Sequence, residues 1–341
     1  MSRRALPSVH VPTYPCAMRI VVAVAVVLAL TLPADARPKK LRKPAASKGF
    51  QVRVGEYSII PGEDLEVCEY RRLPNRKAID VQRFKLRMPE GAHHFAVWRY
   101  AGALTDAEFP AGPVPSIGCV GFAKDELFPQ LLIPTQSPNM VLSFPKGIAL
   151  RLDPEEQVFL NPHMKNFDLE TTTPDVRFNL YRAKKGTVEH YAEALTFGNS
   201  TSIRIPPGGD QTLVVEWTLP VGMTIVNLST HQHALGTYAT IELVGVDGAE
   251  DEVLVETFDW EHPDSEWPPG GRRLEKGRTL RLTCEWHNPR DRVVTFGPET
   301  TDEMCFGIGF VWREDEDKGP VAGCLPTEEG ILCPTLRAVE E

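Results

Sequence analysis

The hydrophobic positions of this chain fall in short segments that are rich in β-branched and aromatic residues and are bounded by Gly, Pro, Asn or Asp. Such segments are typical of β-strands, and no stretch keeps the period of about 3.6 residues that marks an amphipathic helix. The predicted strands cover residues 50–59, 81–88, 140–152, 157–160, 176–182, 201–205, 212–219, 223–228, 238–244, 253–258, 279–286 and 306–312. Many short strands separated by turns predict an all-β fold of two consecutive antiparallel β-sandwich (jelly-roll-like) domains.

The domain boundary is predicted near residues 196–202, where Phe197-Gly198-Asn199-Ser200 interrupts the pattern of strands. This places an N-terminal domain at 50–195 and a C-terminal domain at 196–341. The chain has 341 residues, of which 42% are hydrophobic, so each domain can bury a core. The 30 prolines and 26 glycines fit a protein with many turns.

The N-terminal segment has the features of an export signal. An apolar run at 20–32 follows Arg19 and precedes Ala34-Asp35-Ala36, which predicts a signal peptide at 1–36, with Met18 as a possible true start. The run is too short to span a bilayer comfortably, so no membrane span is expected in the mature chain. Residues 37–49 are basic and contain proline, which predicts a disordered linker. We therefore expect an exported protein, either secreted or periplasmic.

Cysteine usage and net charge agree with export. One of the seven cysteines, Cys16, precedes the predicted cleavage point, and the remaining six predict three disulfides. None of them forms a C-x-x-C pair, which argues against a zinc knuckle. The net charge of −9 argues against nucleic acid as a partner, because nucleic acid binds basic surfaces.

Two of the nine histidines lie two residues apart, in His231-Gln232-His233. Residues i and i+2 of a strand point to the same face, so both imidazoles can reach one metal ion without distorting the backbone. The alternative is a pair of solvent-exposed or core-edge histidines without a ligand role. The pattern alone does not decide between these two interpretations.

Another two histidines, His93 and His94, are adjacent. Neighbouring residues on a regular strand face opposite ways, so the simplest interpretation places one imidazole inside and the other outside. Both can bind one ion only where the strand ends or bulges. Gly91, just before them, allows such an irregularity.

Two further residues complete the candidate set. His163 stands alone at the end of a predicted strand, in Asn161-Pro162-His163-Met164, and Met304 carries a thioether, a soft ligand that favours Cu(I). The usual role of a lone methionine is core filling. Met164 is a rival ligand, but strand alternation turns it away from His163, so we expect it to pack. Surface or structural roles are expected for the other histidines of the predicted mature chain, which are His190, His262 and His287.

Four segments, taken together and in this order, resemble the copper type II, ascorbate-dependent monooxygenases, the family of the peptidylglycine α-hydroxylating and dopamine β-hydroxylating enzymes. The resemblance covers roughly residues 85–312. The segments are His93-His94-Phe95, Pro162-His163, Thr230-His231-Gln232-His233-Ala234-Leu235-Gly236, and Gly297 through Asp302-Glu303-Met304-Cys305.

The resemblance implies two copper sites on either side of an open cleft. The first would consist of His93, His94 and His163, and the second, where oxygen binds, of His231, His233 and Met304. It implies two copper ions per chain and ascorbate as the reductant. It also implies a disulfide between Cys284 and Cys305, and Cys68 would pair with Cys119 around the first copper site. Cys324 and Cys333 remain, and nine residues apart they could close a local loop.

The function implied by the resemblance is hydroxylation of a C–H bond in a small substrate with O₂. Ser229, Phe306 and Ile308 replace the polar residues of the peptide-amidating enzymes, which points to a less polar substrate. Two alternatives stay open on the residues alone. One is a non-catalytic exported copper-binding protein, and the other is a zinc hydrolase or an adhesion sandwich with incidental histidines.

Overall fold

The computed structural model describes residues 41–89, 91–100, 105–115, 130–198, 202–297, 301–313, 325–327 and 330–332. The predicted signal peptide therefore lies outside the described residues, as do Cys119, Cys324 and Cys333. Among the described residues, strands dominate, and one short 3-10 helix spans Asp106–Glu108. The prediction of an all-β fold built from antiparallel sheets is confirmed.

The strands are short, as the spacing of turn residues predicts. Their bounds are β1 Gly49–Arg53, β2 Asp64–Arg72, β3 Ile79–Arg87, β4 Ala92–Arg99, β5 Val114–Pro115, β6 Gln130–Thr135, β7 Val141–Ser143, β8 Ile148–Leu152, β9 Gln157–Lys165, β10 Arg177–Arg182, β11 His190–Gly198, β12 Arg204–Ile205, β13 Gly209–Thr218, β14 Met223–His231, β15 Gly236–Leu243, β16 Glu252–Thr257, β17 Ser265–Glu266, β18 Arg272–Leu274, β19 Thr279–Asn288, β20 Val294–Thr295, β21 Phe306–Arg313, β22 Leu325–Thr327 and β23 Gly330–Leu332.

The first sandwich packs a five-stranded sheet, in the order β5-β2-β9-β4-β6, against one end of a ten-stranded sheet. Strands β1, β10, β3 and β8 of the larger sheet supply buried residues such as Phe84 and Leu180. Phe95 and Leu160 of the smaller sheet pack in the same core. Apolar residues on the inner faces of both sheets thus exclude water between them.

The second sandwich uses the other end of the same ten-stranded sheet, where β11, β21 and β14 lie side by side. A four-stranded sheet, in the order β13-β19-β15-β16, covers this end. The core contains Phe197 and Leu228 from the large sheet and Trp217, Leu282 and Trp286 from the small one. One continuous sheet therefore runs through both sandwiches.

Strand β11 makes this continuity possible. Its first residues, His190 to Ala192, pair with β8 in parallel, and Glu193 to Gly198 pair with β21 in the antiparallel sense. Ala192 belongs to the first core and Phe197 to the second. The predicted boundary between residues 195 and 196 falls inside this strand, and the division into two domains stays a prediction.

The end of the predicted basic linker is ordered, contrary to the expectation of a disordered segment. Gln51 Nε2 donates to the carbonyl of Leu41 over 2.9 Å, and Asn179 Nδ2 donates to that of Arg42 over 2.8 Å. Side chains of β1 and β10 thus hold residues 41 and 42. Within the described residues no helix is long and apolar enough to cross a membrane.

A disulfide joins Cys284 on β19 to Cys305, just before β21, across 21 residues of sequence, as the resemblance implies. Cys68 is also disulfide-bonded. Closing a loop of this length restricts the unfolded chain, so we expect the Cys284→Ala/Cys305→Ala double variant to lose about 3 kcal/mol of unfolding free energy. Urea unfolding of both proteins measures the loss, and a difference below about 1 kcal/mol would contradict the prediction.

Candidate metal centre

A β-bulge turns His93 and His94 to the same side of the five-stranded sheet. In the pairing of β4 with β9, Ala92 lies opposite Met164 and His94 lies opposite His163, so His93 is an extra residue in β4. Gly91 makes the bulge possible, because its φ is +82° and an added Cβ would lie 2.1 Å from the carbonyl oxygen of Lys165. The irregularity expected from Gly91 is present, and the simple in–out alternation of the two histidines is not.

His93, His94 and His163 form a compact trio. Their ring centroids are 4.9–5.1 Å apart, and one nitrogen of each ring lies within 4.8 Å of the others. Two imidazoles that bind one ion at tetrahedral angles have centroids about 5 Å apart, because each nitrogen lies about 2 Å from the metal. The spacing of the trio therefore fits a single transition metal ion without rearrangement.

The second pair of histidines sits where β14 ends. His231 is the last residue of the strand, and His233 lies in the turn that follows. The backbone carbonyl of His233 accepts a hydrogen bond from the backbone N–H of Gly236 over 3.0 Å. The two rings are 5.2 Å apart. This spacing also fits two ligands of one ion.

The side chain of Glu303 holds the backbone of the turn that contains His233. The buried Glu303 carboxylate accepts hydrogen bonds from the backbone N–H of His233 over 3.0 Å, from that of Leu235 over 2.6 Å, and from Trp286 Nε1 over 2.8 Å. Burial raises the pKa of Glu303 to about 7, although these bonds oppose the shift. The turn that carries His233 is thus tied to the segment before β21.

Met304 follows Glu303 directly, and its backbone N–H also hydrogen bonds to the Glu303 carboxylate. The carbonyl oxygen of the preceding Asp302 lies 3.2 Å from His233 Nδ1. Met304 is half-buried. Its backbone is therefore tied to the turn that carries His233, and its role as a sulfur ligand stays a prediction.

Replacing Glu303 with glutamine is expected to destabilise the protein by about 2 kcal/mol at pH 8, because an amide N–H₂ group would face N–H donors that now share a carboxylate. Thermal and urea unfolding measure this effect. Glu261→Gln, an exposed site, serves as the control and should unfold like the wild type. Equal stability of the two variants would contradict this account of Glu303.

The two sets of histidines meet. The ring centroids of His93 and His233 are 5.9 Å apart, and those of His94 and His231 are 6.5 Å apart. Rings on opposite sides of one ion reach about 6.4 Å at most, so His94 and His231 are too far apart to share an ion in any bent geometry. The five imidazoles form one continuous cluster, and the expected open cleft between two separate sites is wrong.

Burial disfavours the charged form of three imidazoles of the cluster. Desolvation lowers the pKa of His93, His94 and His231 below the ordinary value, and neighbouring histidines lower it further, although Glu66 opposes the shift at His94. Among the described residues, His93 Nε2 and His94 Nδ1 are buried without a hydrogen-bond partner. A buried nitrogen without a partner costs stability, whereas a neutral imidazole lone pair is a good metal ligand. The donor set therefore fits a transition metal ion.

Three residues near the cluster were not expected from the sequence. Asp64 and Glu66 lie on β2, a strand that the pattern of hydrophobic residues did not reveal, with Asp64 Oδ1 2.6 Å from His163 Nε2. The Trp260 ring lies 5.3 Å from that of His93. Alternate acidic residues in Asp64-Leu65-Glu66 were the available signal for the two carboxylates.

The remaining histidines of the described chain make contacts with other side chains. His190 stacks on Trp312 at a centroid distance of 3.7 Å. His262 and His287 are exposed, and each has a ring nitrogen close to an aspartate, 3.1 Å from Asp259 Oδ2 and 2.7 Å from Asp210 Oδ1. These contacts agree with the structural and surface roles expected for them.

Comparison with known proteins does not support the expected family. No family model matches the chain, and no curated protein matches it. Solved structures that match include the major capsid protein of bacteriophage PM2, at 10% identity and a TM-score of 0.35, with 77% of this chain and 97% of that chain covered. The major capsid protein (MCP) of STIV matches at 7% identity and a TM-score of 0.33, with 76% and 97% covered.

A structure of Sulfolobus turreted icosahedral virus also matches, at 8% identity and a TM-score of 0.21, with 79% of this chain and 61% of that chain covered. Scores this low show neither a shared detailed architecture nor a shared role. All three neighbours come from viruses, and none of the three is a copper monooxygenase.

The assignment to the copper type II monooxygenases is therefore wrong, and with it the oxidoreductase activity and the expected partners, a small-molecule substrate and O₂. The expected non-catalytic exported copper-binding protein has no support from the comparisons either. The physical reason is that motifs of a few residues report local ligand geometry. A histidine pair on a bulge and a histidine pair at a strand end can arise on unrelated β-sandwiches.

Proposed function

We propose that the five-histidine cluster is a transition-metal-binding site and that metal binding is the function of this part of the protein. The observation that carries the proposal is the trio of His93, His94 and His163, whose ligand nitrogens lie within 4.8 Å of one another. His231 and His233 extend this trio, and we call the part of the cluster that they form the second half-site. Met304 would be the sulfur ligand of that half-site.

The chemistry of the donors limits the choice of metal. Neutral imidazoles suit Cu, Zn and Ni, and for a given nitrogen site the affinity of divalent first-row ions is highest for Cu²⁺. Copper, two ions per chain, is therefore the cofactor that we propose. A bound copper ion would supply one-electron redox chemistry, while burial disfavours the charged forms of His93, His94 and His231.

Isothermal titration of the metal-free protein with Cu²⁺, Zn²⁺ and Ni²⁺ tests the proposal, together with elemental analysis of the purified protein. We expect two Cu²⁺ ions per chain. Ascorbate, the expected reductant, converts Cu²⁺ to Cu⁺ in a parallel titration that reports the contribution of Met304. Met304→Leu should weaken Cu⁺ binding by about tenfold and leave Cu²⁺ binding nearly unchanged, because a thioether prefers the softer ion.

A variant without the two exposed histidines of the described residues, His262→Ala/His287→Ala, controls for adventitious surface binding. It should bind the same number of ions as the wild type with the same affinity. The proposed function would be refuted if the wild-type protein bound no ion more tightly than its two surface histidines do.

A further inference from the structure

Strand β2 brings two carboxylates against the histidine trio. In its pairing with β9, Glu66 lies opposite His163, and Asp64 lies opposite Lys165. Residues two apart on a strand share a face, so both carboxylates point to the same side of the sheet. Asp64 Oδ1 lies 2.6 Å from His163 Nε2, and Glu66 Oε1 lies 3.6 Å from His94 Nε2.

Each contact reaches the same ring nitrogen, Nε2. A neutral imidazole carries its proton on one nitrogen, and a carboxylate beside Nε2 favours the proton there because the carboxylate only accepts hydrogen bonds. The lone pair then lies on Nδ1. His163 Nδ1 is the atom that faces His93 Nδ1 at 3.3 Å, and His94 Nδ1 is buried without a partner among the described residues.

We propose, resting on the metal-binding function above, that Asp64 and Glu66 are positioning residues that hold His163 and His94 as Nε2–H tautomers, so that both present Nδ1 to one cation. Their negative charges also favour a divalent over a monovalent ion at the trio. The stronger contact is that of Asp64, since its distance is that of a charge-assisted hydrogen bond. Orienting partners of this kind typically contribute about 10- to 100-fold to metal affinity.

Long-range ¹H–¹⁵N NMR of the metal-free protein tests the tautomers directly, because the two ring nitrogens of each tautomer have distinct shifts. We expect Nε2–H for His163 and His94. In Asp64→Ala, His163 should become a mixture of tautomers. An Nδ1–H tautomer for His163 in the wild type would overturn the proposal.

Metal titration provides the second measurement. Asp64→Ala should weaken Zn²⁺ binding by about 10- to 100-fold. Asp64→Asn keeps a carbonyl acceptor, so it should keep the tautomer and recover part of the lost affinity. Circular dichroism would reveal a folding defect in the alanine variant, and in that case Asp64→Asn still provides the comparison. Asp259→Ala removes a similar aspartate–histidine contact, that with His262 on the exposed surface, and should change nothing.

A loss below about fivefold in a folded Asp64→Ala protein would also overturn the proposal. If the wild type binds no metal, the proposed function fails. The tautomer of His163 in the metal-free protein still decides whether Asp64 positions the ring, so the two failures are distinguishable.

Discussion

Replacing His163 with alanine is expected to lower the affinity of the histidine trio for Cu²⁺ or Zn²⁺ by about 100-fold or more. Zinc binding by four protein ligands is worth about 10–16 kcal/mol, or roughly 3 kcal/mol for each ligand. His163 is 3% exposed and has ring neighbours on both sides in the trio, so its replacement removes one of three ligands from a buried site. Competition titration against a chelator of known affinity measures the loss.

The companion variant, His231→Ala, should act on the other half-site. Because the trio stays complete, we expect one tightly bound ion per chain to remain, whereas His163→Ala should retain only the weaker ion held by His231 and His233. Equal losses in the two variants would show that the five rings act as a single indivisible site. Affinity within about fivefold of the wild type in His163→Ala would contradict the assignment of the trio.

Replacing Gly91 with alanine is expected to cost more than about 3 kcal/mol of unfolding free energy and to weaken metal binding with it. The φ of +82° disfavours any side chain by about 1–2 kcal/mol, and the added Cβ would lie 2.1 Å from the Lys165 carbonyl oxygen. Relief of this overlap requires β4 to separate from β9. The bulge that aligns His93 with His94 would then be lost.

Gly112→Ala separates the two causes. Its φ is +80°, but an added Cβ would have nothing within 4 Å, so this variant should lose only the cost of the backbone conformation. Urea unfolding and Cu²⁺ titration of both variants make the comparison. Equal stability of the two proteins would mean that the approach of Lys165 to Gly91 has no energetic consequence.

Short motifs led to the wrong family for a reason visible in the site. Two adjacent histidines can bind one ion only where their strand bulges, which the nearby glycine allows. The two histidines of an H-x-H motif can bind one ion at a strand end or on an extended backbone. Both conditions are local, and the structure meets both with His93, His94, His231 and His233. Order along the chain adds little when the sheets that carry the motifs are arranged differently, and here the two histidine pairs meet in one cluster instead of facing each other across a gap.

Strand content, the need for a bulge at Gly91 and the identity of the candidate histidines followed from the sequence, because each depends on neighbours within a few residues. Side-chain alternation and the steric limits on φ act at that range. The same local reasoning missed β2, because five of its nine residues are charged and few are β-branched or aromatic.

Only the tertiary structure decided that the trio and the pair form one cluster, that Asp64 stands behind His163, and that Glu303 holds the turn of His233. These contacts join residues 99 and 70 positions apart in the chain. Their existence depends on which strands pair and in what register, and a single ten-stranded sheet shared by both sandwiches sets that arrangement. Which strands become neighbours depends on contacts between segments far apart in the chain, so the local alternation that fixes the buried face of each strand does not decide it.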